Sequence, residues 1–255
     1  MGRQRRLAAL AAAFGAALLP AGAVAADELL PDLDQRAPYR VSVIKSGTRF
    51  RLVFASAVDN VGVGPLIVEG RRASRKINSM TADQFILRSD GSKRRLRGVG
   101  VLRFVESPDH RHWHYLGFDR YELRSAADFG LVAADRKTGF CLGDRYAIDP
   151  AAGLEPVFTT RCGLNGTGLL RLREGISPGF GDDYKPRLEG QYLELAGLEA
   201  GRYVLVHRAN SDRSLLESDY ENNAASVLLR LTRTDGRPRI AILAVCADSE
   251  RCPAG

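Results

Sequence analysis

Three of the four histidines in this chain, His110, His112 and His114, occupy alternate positions in the run Asp109-His110-Arg111-His112-Trp113-His114. The apolar and aromatic residues around them, Val101, Phe104, Trp113, Tyr115, Phe118 and Tyr121, favour an extended strand. Side chains alternate across a strand, so the three imidazoles share one face while Arg111 and Trp113 take the other. At about 3.3 Å per residue the outer Cα atoms lie roughly 13 Å apart. A single ion with metal–nitrogen bonds of about 2 Å therefore requires the outer rings to lean toward His112, or the strand to bend. An all-imidazole donor set suits copper or zinc and suits magnesium or calcium poorly. Three solvated surface histidines are the competing explanation, and packing gives no reason to crowd them on one face.

The histidines do not name a reaction, but the residues that follow narrow it. In order come Arg136-Lys137-Thr138-Gly139-Phe140-Cys141-Leu142, then Ser177-Pro178-Gly179-Phe180-Gly181-Asp182-Asp183-Tyr184, then Gly190-Gln191-Tyr192-Leu193-Glu194-Leu195. Gly201-Arg202-Tyr203-Val204-Leu205 and Glu217-Ser218-Asp219-Tyr220-Glu221-Asn222-Asn223 complete the series. This succession resembles the catalytic domain of the lysyl oxidase family over about residues 30–235, most specifically between His110 and Asn223. That family carries His-x-His-x-His, a lysine four residues before a cysteine, a Ser-Pro-Gly turn leading to a tyrosine, and a Glu-Ser-Asp-Tyr-x-Asn-Asn loop.

The resemblance implies copper on His110, His112 and His114, and a lysine tyrosylquinone formed from Lys137 and Tyr184. It implies oxidation of primary amines, peptidyl lysine or small amines, by molecular oxygen, giving aldehyde, ammonia and hydrogen peroxide. The residue types suit that chemistry. A phenol near copper and oxygen can become an ortho-quinone, and a primary amine adds to that ring once burial or a nearby cation has removed its proton. Asp144, Asp182 and Asp183 are candidates for the base that takes the substrate's α-proton, and each is equally a turn residue. Two other classes compete: a non-catalytic copper-binding β-sandwich module, and a zinc hydrolase, which lacks a Glu/His partner motif here. A calcium site is a weaker expectation, resting on the resemblance of Asp32-Leu33 and on Asn165. His207, within Tyr203-Val204-Leu205-Val206-His207, reads as a strand residue with a satisfied nitrogen. Glu217–Asn223 reads as a structural loop whose Asp and Asn side chains bond local backbone.

Residues 1–25 have the pattern of a signal peptide: Arg3, Arg5 and Arg6, an apolar run from Leu7 to Leu19, then Pro20 and Ala23-Val24-Ala25. An uncleaved membrane anchor is the alternative. Removal takes three arginines from a chain of 37 basic and 30 acidic side chains, so net charge falls from +7 to 34 − 30, or +4. That balance, with no nucleic-acid motif, gives no footprint for nucleic acid. The expectation is a secreted protein that leaves the membrane after cleavage, with residues 26–255 forming one catalytic domain. Cys141, Cys162, Cys246 and Cys252 are an even set suited to an oxidising compartment. Nearest-neighbour pairing, Cys141–Cys162 and Cys246–Cys252, is favoured, and the family has a bridge matching the first. Animal members carry a further bridged pair where this chain has Phe180 and Gly190, so the Tyr184 loop needs another support.

Short apolar or period-two runs at 40–43, 50–55, 84–87, 98–105, 112–123, 191–195, 203–207, 225–231 and 240–245 predict strands. Helical periodicity is missing beyond about two turns. The fold class expected is mainly β, a single β-sandwich-like domain whose long loops, above all 130–185, build the copper and quinone site.

Overall fold

The computed structural model describes residues 26–107, 110–135, 139–188 and 190–253. The signal-like segment 1–25 and Lys137 lie outside the described residues, as does the side chain of His110. The strands run β1 (Glu28–Leu29), β2 (Leu33–Gln35), β3 (Tyr39–Ser46), β4 (Arg49–Asn60), β5 (Leu66–Arg71) and β6 (Ser79–Arg88). They continue with β7 (Lys93–Ser107), β8 (His110–Leu116), β9 (Asp119–Ser125), β10 (Leu131–Ala134), β11 (Gly139–Phe140) and β12 (Tyr146–Ala147). The last six are β13 (Arg171–Ile176), β14 (Phe180–Tyr184), β15 (Tyr192–Glu194), β16 (Gly201–Ala209), β17 (Ala224–Thr234) and β18 (Arg237–Cys246). The helical element among the described residues is one 3₁₀ turn, Pro150–Ala152, capped by the Asp149 carboxylate.

The strands form three sheets, and every described pairing is antiparallel. One has the order β11-β8-β7-β6-β5-β13, with β1 also on β6; the second is β10-β9-β16-β17-β18. The third is built around β4, which pairs with β14 and β15 and also with β2 and β3. The mainly β expectation holds, but the sandwich is a curled, three-sheet one. β4 explains the departure: it is buried without interruption from Leu52 to Asn60, so both its faces are covered and it serves as the hub. Leu52, Phe54 and Val58 of β4 share one apolar core with Met80, Leu102, Trp113, Tyr121, Leu205 and Leu229 of the other two sheets.

The expected strands appear, with one division and several additions. The run 112–123 is two strands, because Gly117 takes φ 76° and turns the chain between β8 and β9. Tract 130–185 carries β10 to β14 in addition to its loops. These strands are too short, or too mixed in polarity, to show a period.

Candidate functional site

β8 is clamped on both edges. β7 pairs along its length, with Val105 opposite His112 and Arg103 opposite His114. β11 meets its far end, with Gly139 opposite Leu116 and Phe140 opposite Tyr115. The alternation expected of the strand is present. Trp113 is fully buried, donates its indole N–H to Gly166 O at 3.0 Å and lies edge-on to Phe104, while the Arg72 guanidinium covers its ring at 4.6 Å. With Trp113 fixed on that face, His112 and His114 project from the other.

The two rings converge, with Nε2 to Nε2 at 2.8 Å and ring centroids 4.7 Å apart. His112 is half-buried and His114 is buried at 6% exposure. Two nitrogens each about 2.0 Å from one ion, at a right angle, are about 2.8 Å apart. The same separation lets one ring donate to the other, so the pair fits a metal and is stable without one. The donor chemistry suits copper. Of the described rings, the outer one, His114, leans onto the central His112. Among the described residues no group of three or more His, Cys, Asp or Glu side chains could hold an ion.

Residues 139–141 join this pair to Tyr184. A Cβ on Gly139 would stand 2.8 Å from His114 Cβ, so only glycine lets β11 lie so close to β8. Phe140 is fully buried and takes the Tyr184 ring edge-on at 4.8 Å. The Cys141 carbonyl accepts the Tyr184 hydroxyl at 3.0 Å. Cys141 is bridged to Cys162, whose own carbonyl accepts the Trp113 N–H, closing the loop back onto β8. The second bridge is Cys246–Cys252, so both expected disulfides form. Tyr184 is held without the animal-type bridge: β14 pairs with β4, setting Tyr184 opposite Ser56, and Gln191 Nε2 donates to Phe54 O and Tyr184 O.

The three candidate acids separate cleanly. Asp182 is fully buried and its Oδ2 lies 2.6 Å from the Tyr184 hydroxyl. Burial pushes its pKa up to about 7, against the opposing pull of the Arg145 guanidinium, whose Nε is 3.3 Å from Oδ1. Burial, and then the Asp182 charge, hold the Tyr184 phenol well above its ordinary range. Asp144 accepts from Val157 N, Phe158 N, Ser177 N and Ser177 Oγ, four bonds that fix loop to loop. Asp183, one residue out of phase on β14, lines a cavity on the opposite side with Tyr39, Tyr146 and Lys185.

Sequence reasoning missed Arg145, Gly139 and Glu174. Glu174 is fully buried beneath Leu142, accepts its N–H at 3.3 Å, and is pushed well above the usual carboxylate range by burial. No spacing announced it, because it is a lone acid in a polar-looking run. His207 corrects an expectation: it is a buried β16 residue packed on Tyr121 at 4.4 Å and Phe54 at 4.9 Å, but neither ring nitrogen has a hydrogen-bond partner among the described residues. Burial holds it well below the usual range, hence neutral. The 217–223 loop is structural as expected: Asp219 accepts from the local Glu221 N–H, while Asn222 and Asn223 bond side chains instead of backbone. Glu217 accepts from Leu33 N, Asn210 Nδ2 and Asn223 Nδ2, and Asn222 Nδ2 donates to Asp32, pinning the N-terminal strands. Asp32 is thus engaged there, whereas Asn165 donates its N–H to Arg111 O beside β8; the structure holds the two calcium candidates against different partners.

A curled antiparallel β protein with converging imidazoles beside a buried tyrosine–carboxyl pair defines the class. The lysyl oxidase family profile matches residues 104–240, just over half of the chain, and the chain belongs to that family. It is 29% identical over 125 residues to human Lysyl oxidase homolog 1, covering 48% of this chain and 20% of that protein. It is 28% identical over 130 residues to chicken Protein-lysine 6-oxidase, covering 48% of this chain and 27% of that protein. The pig Protein-lysine 6-oxidase is 28% identical over 124 residues, with 45% of its length covered. The match therefore spans less than half the length of each of these relatives.

Proposed function

We propose that this protein is a secreted copper-dependent amine oxidase acting on a primary amine, either peptidyl lysine or a small amine. His110, His112 and His114 would hold copper, and Lys137 and Tyr184 would form the lysine tyrosylquinone. When present, these groups supply the oxidising power: the amine becomes an aldehyde with release of ammonia, and molecular oxygen takes up the electrons as hydrogen peroxide. Asp182 is the chain's proton acceptor at the Tyr184 hydroxyl, and later the base for the substrate's α-proton. A carboxyl with a pKa of about 7 is divided between its two forms at neutral pH, as that double duty requires. The Tyr184 hydroxyl has one proton to donate, and both Asp182 Oδ2 at 2.6 Å and the Cys141 carbonyl at 3.0 Å are placed to accept it, so the ionised Asp182 competes with the carbonyl for that proton.

The observation that carries this reading is the 139–141 segment, which abuts His114 at one end and bonds the Tyr184 hydroxyl at the other. Lys137 is two residues along the chain from Gly139. The two disulfides support an oxidising, extracellular compartment, as does the signal-like pattern of residues 1–25. No described helix is long and apolar enough to cross a membrane. The test is peptide mapping of copper-loaded protein with a quinone stain on the denatured chain and a peroxide assay with a primary amine. A Lys137–Tyr184 cross-linked peptide that stains is the expected result. Bound copper with neither cross-link nor peroxide would leave the non-catalytic copper-binding module instead.

A further inference from the structure

At β18 the core face of a sheet runs out into solvent. Ile242 and Val245 stand opposite Leu229 and Val227 of β17, both core residues, yet Ile242 is 48% and Val245 62% exposed. Leu243, the residue taken up in the register shift of that pairing, is 38% exposed beside them. β18 ends its sheet, and among the described residues no strand pairs with its outer edge. Contiguous apolar side chains on an unpaired edge mark a contact surface.

Charge along the strand says what covers it. One end carries Arg237 and Arg239, which with Lys45 of β3 line a small cavity and make no ion pair among the described residues. The other end leads to Asp248, which lines the second cavity with Asp34 and Asp183. Arg36 and Arg145 in that cavity are already paired with Asp59 and Asp182, leaving three carboxylates against Lys185. A surface positive at one end, apolar in the middle and negative at the other is complementary to itself reversed. A two-fold axis performs that reversal.

We propose that two copies of this chain associate through β18 as an isologous dimer. The strands run antiparallel, and Ile242, Leu243 and Val245 pack on their counterparts. The Arg239 end of each lies on the partner's Asp248. The register shift at Leu243 interrupts the outward N–H and C=O row, so side-chain packing rather than a continuous ladder makes the contact. This surface is independent of the copper and quinone reading.

Light scattering on the purified chain, up to about 100 μM, should show a concentration-dependent dimer. Val245→Glu, at an exposed position that leaves the fold intact, should weaken it by at least about tenfold. Arg239→Glu and Asp248→Arg should each weaken self-association. An equimolar mixture of those two variants should dimerise, because across a two-fold every apposed pair is again of opposite sign. A wild-type monomer at every concentration overturns the proposal. So does a dimer indifferent to Val245→Glu, or a mixture of the charge variants that fails to recover.

Discussion

Asp182→Asn tests the site through both stability and chemistry. The carboxyl's pKa rises from an ordinary 3.8 to about 7 in the folded chain, with desolvation as the largest cause. The folded protein therefore holds the proton more tightly than the unfolded chain, and the stability contributed by this group is fully present below about pH 4. It is lost as pH rises through about 7, where the native site must ionise. Three pKa units at 1.36 kcal/mol each set a ceiling of about 4 kcal/mol for that loss. Asparagine cannot ionise, so the variant should resemble the wild type at pH 4 and exceed its stability by up to about 4 kcal/mol at pH 8, less the Arg145 contact it gives up. Urea unfolding at both pH values measures this, and the difference between the two proteins isolates Asp182 from Glu217, whose pKa is likewise raised to about 7 by burial. The same variant removes the proton acceptor at Tyr184, so copper loading should leave the chain without quinone stain. A wild-type pH dependence of stability together with wild-type staining would refute both the electrostatics and the role.

His112→Ala should lower copper affinity more than about 100-fold, since loss even of an outer-shell partner costs 10–100-fold; metal analysis of the purified variant measures it. Lys137→Arg should retain copper yet give neither cross-link nor peroxide, because a guanidinium stays protonated and cannot add to a quinone. Gly139→Val should cost about 1–3 kcal/mol, as its Cβ meets His114 Cβ at 2.8 Å, lowering Tm by about 2–4 °C per kcal/mol in a calorimeter. Glu217→Gln should destabilise by about 1–3 kcal/mol in urea at pH 8, because an amide cannot accept all three of its donors at once.

Much of the site was legible because its signals are local. Alternation of His112, Trp113 and His114 follows from strand geometry alone, and the structure splits them across β8 as that geometry requires. The cysteine pairing was legible because both loops are short and both bridges close between sequence neighbours. β10 to β14 were not, since strands of two to six residues are too short to show a period, and the longest of them hold their shape through partners distant in sequence. β13 lies on β5, and β14 on β4, across more than 100 residues. The roles of the three acids were illegible for the same reason. Asp144, Asp182 and Asp183 differ in which backbone or hydroxyl they meet, and those partners come from four separate segments.

His207 shows where a residue type misleads. A histidine in an apolar strand is ordinarily expected to satisfy one nitrogen, because an unpaired buried donor or acceptor costs about 1–3 kcal/mol. Here the ring is spent on packing: it bridges Phe54 of β4 and Tyr121 of β9, and Tyr121 in turn lies edge-on to Phe140, the residue on which Tyr184 rests. Burial holds the imidazole neutral, so it brings no charge to the aromatic contacts it makes. Titration of the Asp182 carboxyl beside Tyr184 is then governed by burial first, and after it by Arg145, the Tyr184 hydroxyl and the Asp183 charge. The Tyr184 phenol thus meets its proton partners, Asp182 and the Cys141 carbonyl, with the Phe140 ring edge-on beside it, while His207 contributes packing without charge.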